Sequence, residues 1–135
     1  MAMLEDKTVR IGLLLDFYGP LLTDKQREMV RLHFEDDLSL GELAEEAGVS
    51  RAAVHDLVHR AIEALEGYEA RLCLIGKYLQ ERRELERCLK ALDDAGRLCR
   101  QAADGSQPVG PVLAEQVIQQ LEEARRVIGD LLESE

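Results

Sequence analysis

The sequence predicts an all-α fold: a helix-turn-helix with a flanking N-terminal helix and long C-terminal helices. Three observations carry this. Apolar residues recur at three- and four-residue spacings along most of the chain, and no two-residue alternation persists. The composition, with 46% hydrophobic and 33% charged residues, no Trp and three Pro in 135 residues, suits a soluble helical protein. Capping residues mark three helix starts, at Thr23, Ser39 and Ser50.

Leu4, Ile11, Leu14, Leu15 and Tyr18 share a helical face, which predicts a first amphipathic helix from about Asp6 to Tyr18, ended by Gly19-Pro20. Leu13 and Phe17 widen that face, so burial on more than one side is expected, within the monomer or against a partner subunit. Thr23 and Gln26 form a capping box that opens a helix through Met29, Val30, Leu32, His33 and Phe34, closed by the acidic Glu35-Asp36-Asp37. His33 is expected to pack, and the acidic triplet to be a solvated loop.

Ser39 and Glu42 form a second capping box, with Leu38 and Leu43 as its hydrophobic staple, so a helix starts at Leu40. Gly48 is placed to stop it, since a residue without Cβ enters the left-handed conformation cheaply. Ser50 then caps a helix starting at Arg51, whose stripe is Val54, Leu57, Val58, Ala61, Ile62 and Leu65. Leu40, Leu43, Ala47, Val49, Val54 and Leu57 fill the apolar places of the motif, and Ala44 lies where the two helices pass closest.

From Gly67 to about Leu92, the residues Tyr68, Leu72, Ile75, Leu79, Leu85, Leu89 and Leu92 predict one long helix with an apolar seam. Arg82 and Glu86 interrupt its heptad places, so either a coiled coil or packing on the first helix fits. The run Asp104 to Pro111, with two Pro and two Gly, reads as a linker. Beyond it Leu113, Val117, Leu121, Ala124, Ile128 and Leu131 define a terminal amphipathic helix. The expected organisation is a helical domain over 1–100 containing the helix-turn-helix at 23–65, a linker over 101–112 and a helix over 113–135.

Composition excludes several classes. No basic-then-apolar leader and no apolar run of about 18 residues occurs, so the expected location is the cytoplasm, without membrane insertion. Cys73, Cys88 and Cys99 lack the close spacing of a metal or redox motif and read as reduced thiols. His55 and His59 lie four apart on one helix, but Asp56 stands where zinc proteases carry Glu and no third ligand is evident. No nucleophile elbow, phosphate loop or dinucleotide signature is present. The protein is therefore expected to be no enzyme and to need no cofactor.

The segment from Leu22 to Leu65 resembles region four of sigma-70-type factors, the promoter-reading part. Residues from about Leu4 to Leu92 resemble more closely the YlxM family of helix-turn-helix proteins. The residues that carry this are Asp16-Phe17-Tyr18, Leu21-Leu22-Thr23 with Lys25-Gln26, Asp36 to Glu42, Ala44-Glu45-Glu46, Val49-Ser50-Arg51 with Ala53-Val54, and Arg60. The resemblance implies a cytoplasmic bacterial protein with an accessory or regulatory part in the signal recognition particle pathway. Family members are expected to carry a polar residue such as Gln where this chain has Ala52, an aromatic at His55 and a basic residue at His59.

Two functional readings of different class follow. In one, the chain is an interaction module, a homodimer by its surplus of apolar faces, that binds the signal recognition particle GTPase or its RNA. Its candidate docking stripe is Lys77, Arg83, Arg87, Lys90 and Arg97, within the chain's one basic concentration: residues 71–100 carry eight basic and five acidic residues. In the other it is a DNA-binding regulator using Ser50, Arg51, Ala52, His55, His59 and Arg60. Arg51 would fork to a guanine edge, while Ser50 and the helix N-terminus hold a phosphate and Arg60 or Lys25 the backbone. Charge opposes the second reading, since residues 23–66 hold five basic and eleven acidic side chains and duplex DNA asks for cations.

Overall fold

In the computed structural model, which describes residues 6–134, the chain forms helices and turns and divides into two compact units, one up to Gly76 and one from Lys77. Leu4, assigned above to the first apolar stripe, lies outside the described residues.

In the first unit, α1 (Lys7–Tyr18) is capped by the Asp6 carboxylate, which accepts from the Thr8 N–H at 2.9 Å. It buries Ile11, Leu14, Leu15 and Tyr18, with Leu13 and Phe17 half-buried, so the face is as wide as its sequence predicts. A single 3-10 turn, Gly19–Leu21, leads to α2 (Asp24–Phe34), which opens on the expected Thr23/Gln26 capping box. After α2 the chain reverses through Asp37 at φ 58°, and two bonds close the turn. The Leu38 N–H donates to the Leu32 carbonyl at 3.0 Å, and the His33 ring donates from Nδ1 to the Leu38 carbonyl at 2.7 Å. His33 is thus a packing and turn-closing residue, held edge-on to Phe34.

The helices of the motif are α3 (Leu40–Ala47) and α4 (Arg51–Leu72). Leu43, Ala44, Val54, Val58, Ala61 and Leu65 are buried, joining Leu22, Met29, Val30 and the buried face of α1 in one core. Val49 departs from expectation: at 41% exposed it does not fill an apolar place, because the turn between the two caps holds it at the surface.

The stretch after Leu65 differs most. Instead of a new helix near Gly67, α4 runs on to Leu72 and the chain breaks at Cys73, in the left-handed region at φ 54°. α5 then spans Leu74–Ala103. Gly67 costs a helix interior only about 1 kcal/mol, too little to stop one that packs along its length. The predicted seam was therefore drawn across a joint, and its Leu72, Leu85, Leu89 and Leu92 are exposed.

The second unit is the remainder of α5 paired with α6 (Pro111–Glu133). Its buried side chains are mostly small: Cys88, Ala91 and Ala95 on α5, Leu113, Ala124 and Val127 on α6, with Leu131 packed against them. The Asp104 to Pro111 run is a turn within this unit, and the boundary between units falls at Gly76, inside α5, rather than at residues 101–112. The terminal helix closes on α5 because a single amphipathic helix cannot cover its own stripe.

Candidate nucleic-acid and partner interface

The motif's turn is built from its caps. Ser39 Oγ accepts from the Glu42 N–H at 3.1 Å while Glu42 accepts from the Ser39 N–H at 2.8 Å. Gly48 sits at φ 67°, and the Val49 N–H donates to the Ala44 carbonyl at 3.1 Å, closing α3 in a Schellman motif. Ser50 Oγ accepts from the Ala53 N–H at 3.1 Å, so the hydroxyl assigned to a phosphate also caps α4.

Behind the caps, α4 presents Arg51, Ala52, His55, Asp56, His59 and Arg60 on its exposed side. Their charges are mostly matched within the helix. Arg60 pairs with Asp56 at 3.2 Å and His59 with Glu63 at 3.2 Å, and the His55 and His59 rings stack with centroids 6.1 Å apart. Arg51 makes no ion pair among the described residues. Ala52 places a methyl group where a polar contact would serve base reading. Around this helix Arg27 and Arg31 are also paired, with Asp24 and Glu35.

The basic stripe on α5 is laced in the same way. Lys77 reaches Glu81 at 3.8 Å, Arg97 reaches Asp94 at 3.4 Å, and Arg87 bridges Glu84 at 3.0 Å and Glu123 of α6 at 2.8 Å. The Glu123 carboxyl is held below the ordinary carboxylate range, first by its hydrogen bond to Arg126. Of the five candidate docking residues, Arg83 and Lys90 make no ion pair among the described residues. Among these residues no group of three His, Cys, Asp or Glu side chains comes together to hold a metal ion, and His55 with His59 stays a pair. Among the described residues no helix is long and apolar enough to cross a membrane.

Sequence reading missed a polar joint where α4 meets α5. The Tyr18 hydroxyl accepts from the Leu74 N–H at 3.1 Å and donates to Glu69 Oε2 at 3.1 Å. Glu69 in turn accepts from the Ile75 N–H at 3.0 Å and the Gly76 N–H at 3.3 Å. The first amides of a helix lack intrahelical acceptors, and here a carboxylate from the preceding helix supplies them at the positive end of the dipole. Burial pushes the Tyr18 phenol above its ordinary pKa. The absence of Gly or Pro at Leu72-Cys73-Leu74 hid the joint.

Residues 5–103 match the model of a family described as "putative helix-turn-helix protein, YlxM / p13 like". Among curated relatives, a UPF0122 protein of Bacillus cereus is 53% identical over 87 residues, which cover 64% of this chain and 78% of the relative. One from Symbiobacterium thermophilum is 48% identical over 86 residues, 64% of this chain and 80% of the relative. Another from Halalkalibacterium halodurans is 47% identical over 88 residues, 65% and 81% respectively. The family match takes in α1 to α5 and ends before α6.

Proposed function

This chain belongs to the YlxM/p13-like helix-turn-helix family, and on that premise we propose that it is a non-enzymatic accessory or regulatory protein of the signal recognition particle pathway, binding the particle's GTPase or RNA. In this reading the helix-turn-helix is a scaffold, the contacts fall on the basic stripe of α5, and the protein works in the cytoplasm. The observation that carries it is the charge around α4. Residues 23–66 hold eleven acidic against five basic side chains, and His59 and Arg60 each face a carboxylate of their own helix. A phosphate backbone approaching this surface would meet one unmatched cation on the first turns of α4, Arg51, and a net negative field.

The second reading is a DNA-binding regulator that enters the major groove with the helix starting at Arg51. One specific observation favours it: Arg51 stands exposed at the N-terminal end of α4, next to an intact Ser50 cap. The direct test is retention of the full-length protein on the signal recognition particle GTPase, with and without its RNA, and on random-sequence duplex DNA, all at one near-physiological salt concentration. Retention by the GTPase or its RNA complex, with none on DNA, is the expected result. Retention on DNA alone would overturn the first reading and assign the pathway link to gene control.

A further inference from the structure

We propose that the second unit is half of a four-helix bundle, completed by a second copy of this chain through an apolar face that α5 and α6 share. The pairing of α5 with α6 is antiparallel: Gln107 meets Gln116, Arg87 meets Glu123, and Cys88 Sγ lies 3.7 Å from the Ala124 carbonyl oxygen. Small residues line this contact, so the large apolar side chains of both helices are left elsewhere. On α5, Tyr78, Leu85, Leu89 and Leu92 are exposed, and with Arg82, Gly96 and Cys99 they complete a run spaced alternately by four and three residues. On α6, Ile118, Leu121, Ile128 and Leu132 are exposed, and with Arg125 they are spaced alternately by three and four. Alternation of three and four is the heptad pattern of helices that pack along their length.

The two seams lie on one side of the hairpin. At about 100° per residue, each seam is rotated by about a quarter turn from its helix's buried direction, toward higher residue number in both. Because the helices run antiparallel, equal rotations in that sense carry both seams to the same face. That face exposes on the order of 600 Å² of apolar side chain, as large as the largest patch on an ordinary monomer and close to one partner's share of a standard interface.

Charge selects a second copy over an anionic surface or nucleic acid. Asp93 on α5, and Glu115 and Glu122 on α6, are exposed beside the seams and Arg125 lies on one, while Arg82 on the other is paired within its own helix to Glu86 at 3.3 Å. A partner needs an acidic rim to meet Arg125 and an arginine to meet the rims at Asp93, Glu115 and Glu122, and a twofold-related copy carries both. Self-pairing of hairpins through heptad faces yields the ordinary antiparallel four-helix bundle.

Sedimentation of the full chain from about 1 to 100 μM tests this, with far-ultraviolet dichroism on the same samples. The expected species is twice the 15.2 kDa chain, and Leu89→Glu with Ile128→Glu should weaken association at least about tenfold. Arg125→Glu, which removes no apolar side chain, should weaken it as well while helicity is kept. Loss of helicity together with loss of the dimer in the double variant, with Arg125→Glu folded and dissociated, would mean that the bundle folds as it pairs and would support the proposal. A wild-type chain that stays monomeric at about 100 μM, leaving the face to another protein's helix, would overturn it. A dimer untouched by the double variant and by Arg125→Glu would also overturn it.

Discussion

Tyr18 and Glu69, 51 residues apart, meet through a 3.1 Å hydrogen bond and together satisfy the amides that open α5. Tyr18 is 1% exposed, so its hydroxyl is the polar end of a core residue. Tyr18→Phe should leave the Leu74 N–H without its acceptor and destabilise the first unit by about 1–2 kcal/mol. Amide exchange should rise at Leu74 in that variant, and at Ile75 and Gly76 in Glu69→Ala. Unchanged protection would show that water satisfies these amides equally well.

The same burial sets an alkaline limit. A phenol whose folded pKa is raised keeps its full contribution below its unfolded value, near 10, and loses it as pH climbs through the folded value. Stability should therefore decline above about pH 10 and decline less in Tyr18→Phe. Denaturant titrations of the two proteins at a series of alkaline pH values would check this.

Arg10 and Glu66 form a second long-range link. The Arg10 Nε donates to Glu66 Oε1 at 2.7 Å, and a second guanidinium N–H reaches Oε2. That hydrogen bond holds the Glu66 carboxyl below its ordinary pKa, against a smaller opposing effect of burial. The sign is that of a depressed acid: the contribution is present above the unfolded pKa, near 4.3, and is lost as pH falls through the folded value. Both side chains are more than a third exposed, so Arg10→Ala should cost at most about 1 kcal/mol at neutral pH. The difference from wild type should shrink below about pH 4. A constant difference across that range would mean that Arg10 acts through packing.

Legibility in the sequence followed locality. The caps at Thr23, Ser39 and Ser50 and the stop at Gly48 were readable because each rests on side chains within three residues of the backbone groups they satisfy. The links from Tyr18 to Glu69 and from Arg10 to Glu66 join residues over fifty apart, and nothing in periodicity points to them. The seam beyond Leu65 went wrong for one reason. A heptad register continued through Cys73 meets Glu86 and Asp93, whereas restarted at Tyr78 in α5 it meets Leu85 and Leu92 in their place. The candidate residues on α4 were placed correctly at the surface, but their pairing with Asp56 and Glu63 needed rotamers.

Two left-handed positions should respond with opposite signs. Gly48 at φ 67° has open space around a built Cβ, so Gly48→Ala suffers from backbone conformation alone and should cost about 1 kcal/mol. Cys73 at φ 54° is exposed and already carries that penalty. Cys73→Gly should relieve part of it, raising stability by about 0.5 kcal/mol after the larger entropy loss of Gly. Urea denaturation of both variants would measure the pair, and destabilisation by Cys73→Gly would mean that the thiol side chain contributes packing there.

Charge variants separate the two functional readings, and the ion pairs decide which variants are clean. Arg51→Ala with Arg60→Ala removes the two arginines on the first three turns of α4. It should abolish DNA retention if α4 reads DNA, and leave particle binding within about twofold if the scaffold reading holds. On α5, Arg87→Glu is a poor probe, because Arg87 bridges Glu84 and Glu123 and its reversal would set three carboxylates together. Arg83→Glu with Lys90→Glu changes charge without breaking a pair in the second unit. It should weaken binding of an acidic protein surface or RNA by about tenfold or more if the α5 stripe docks there. Binding unaffected by either pair would exclude both surfaces.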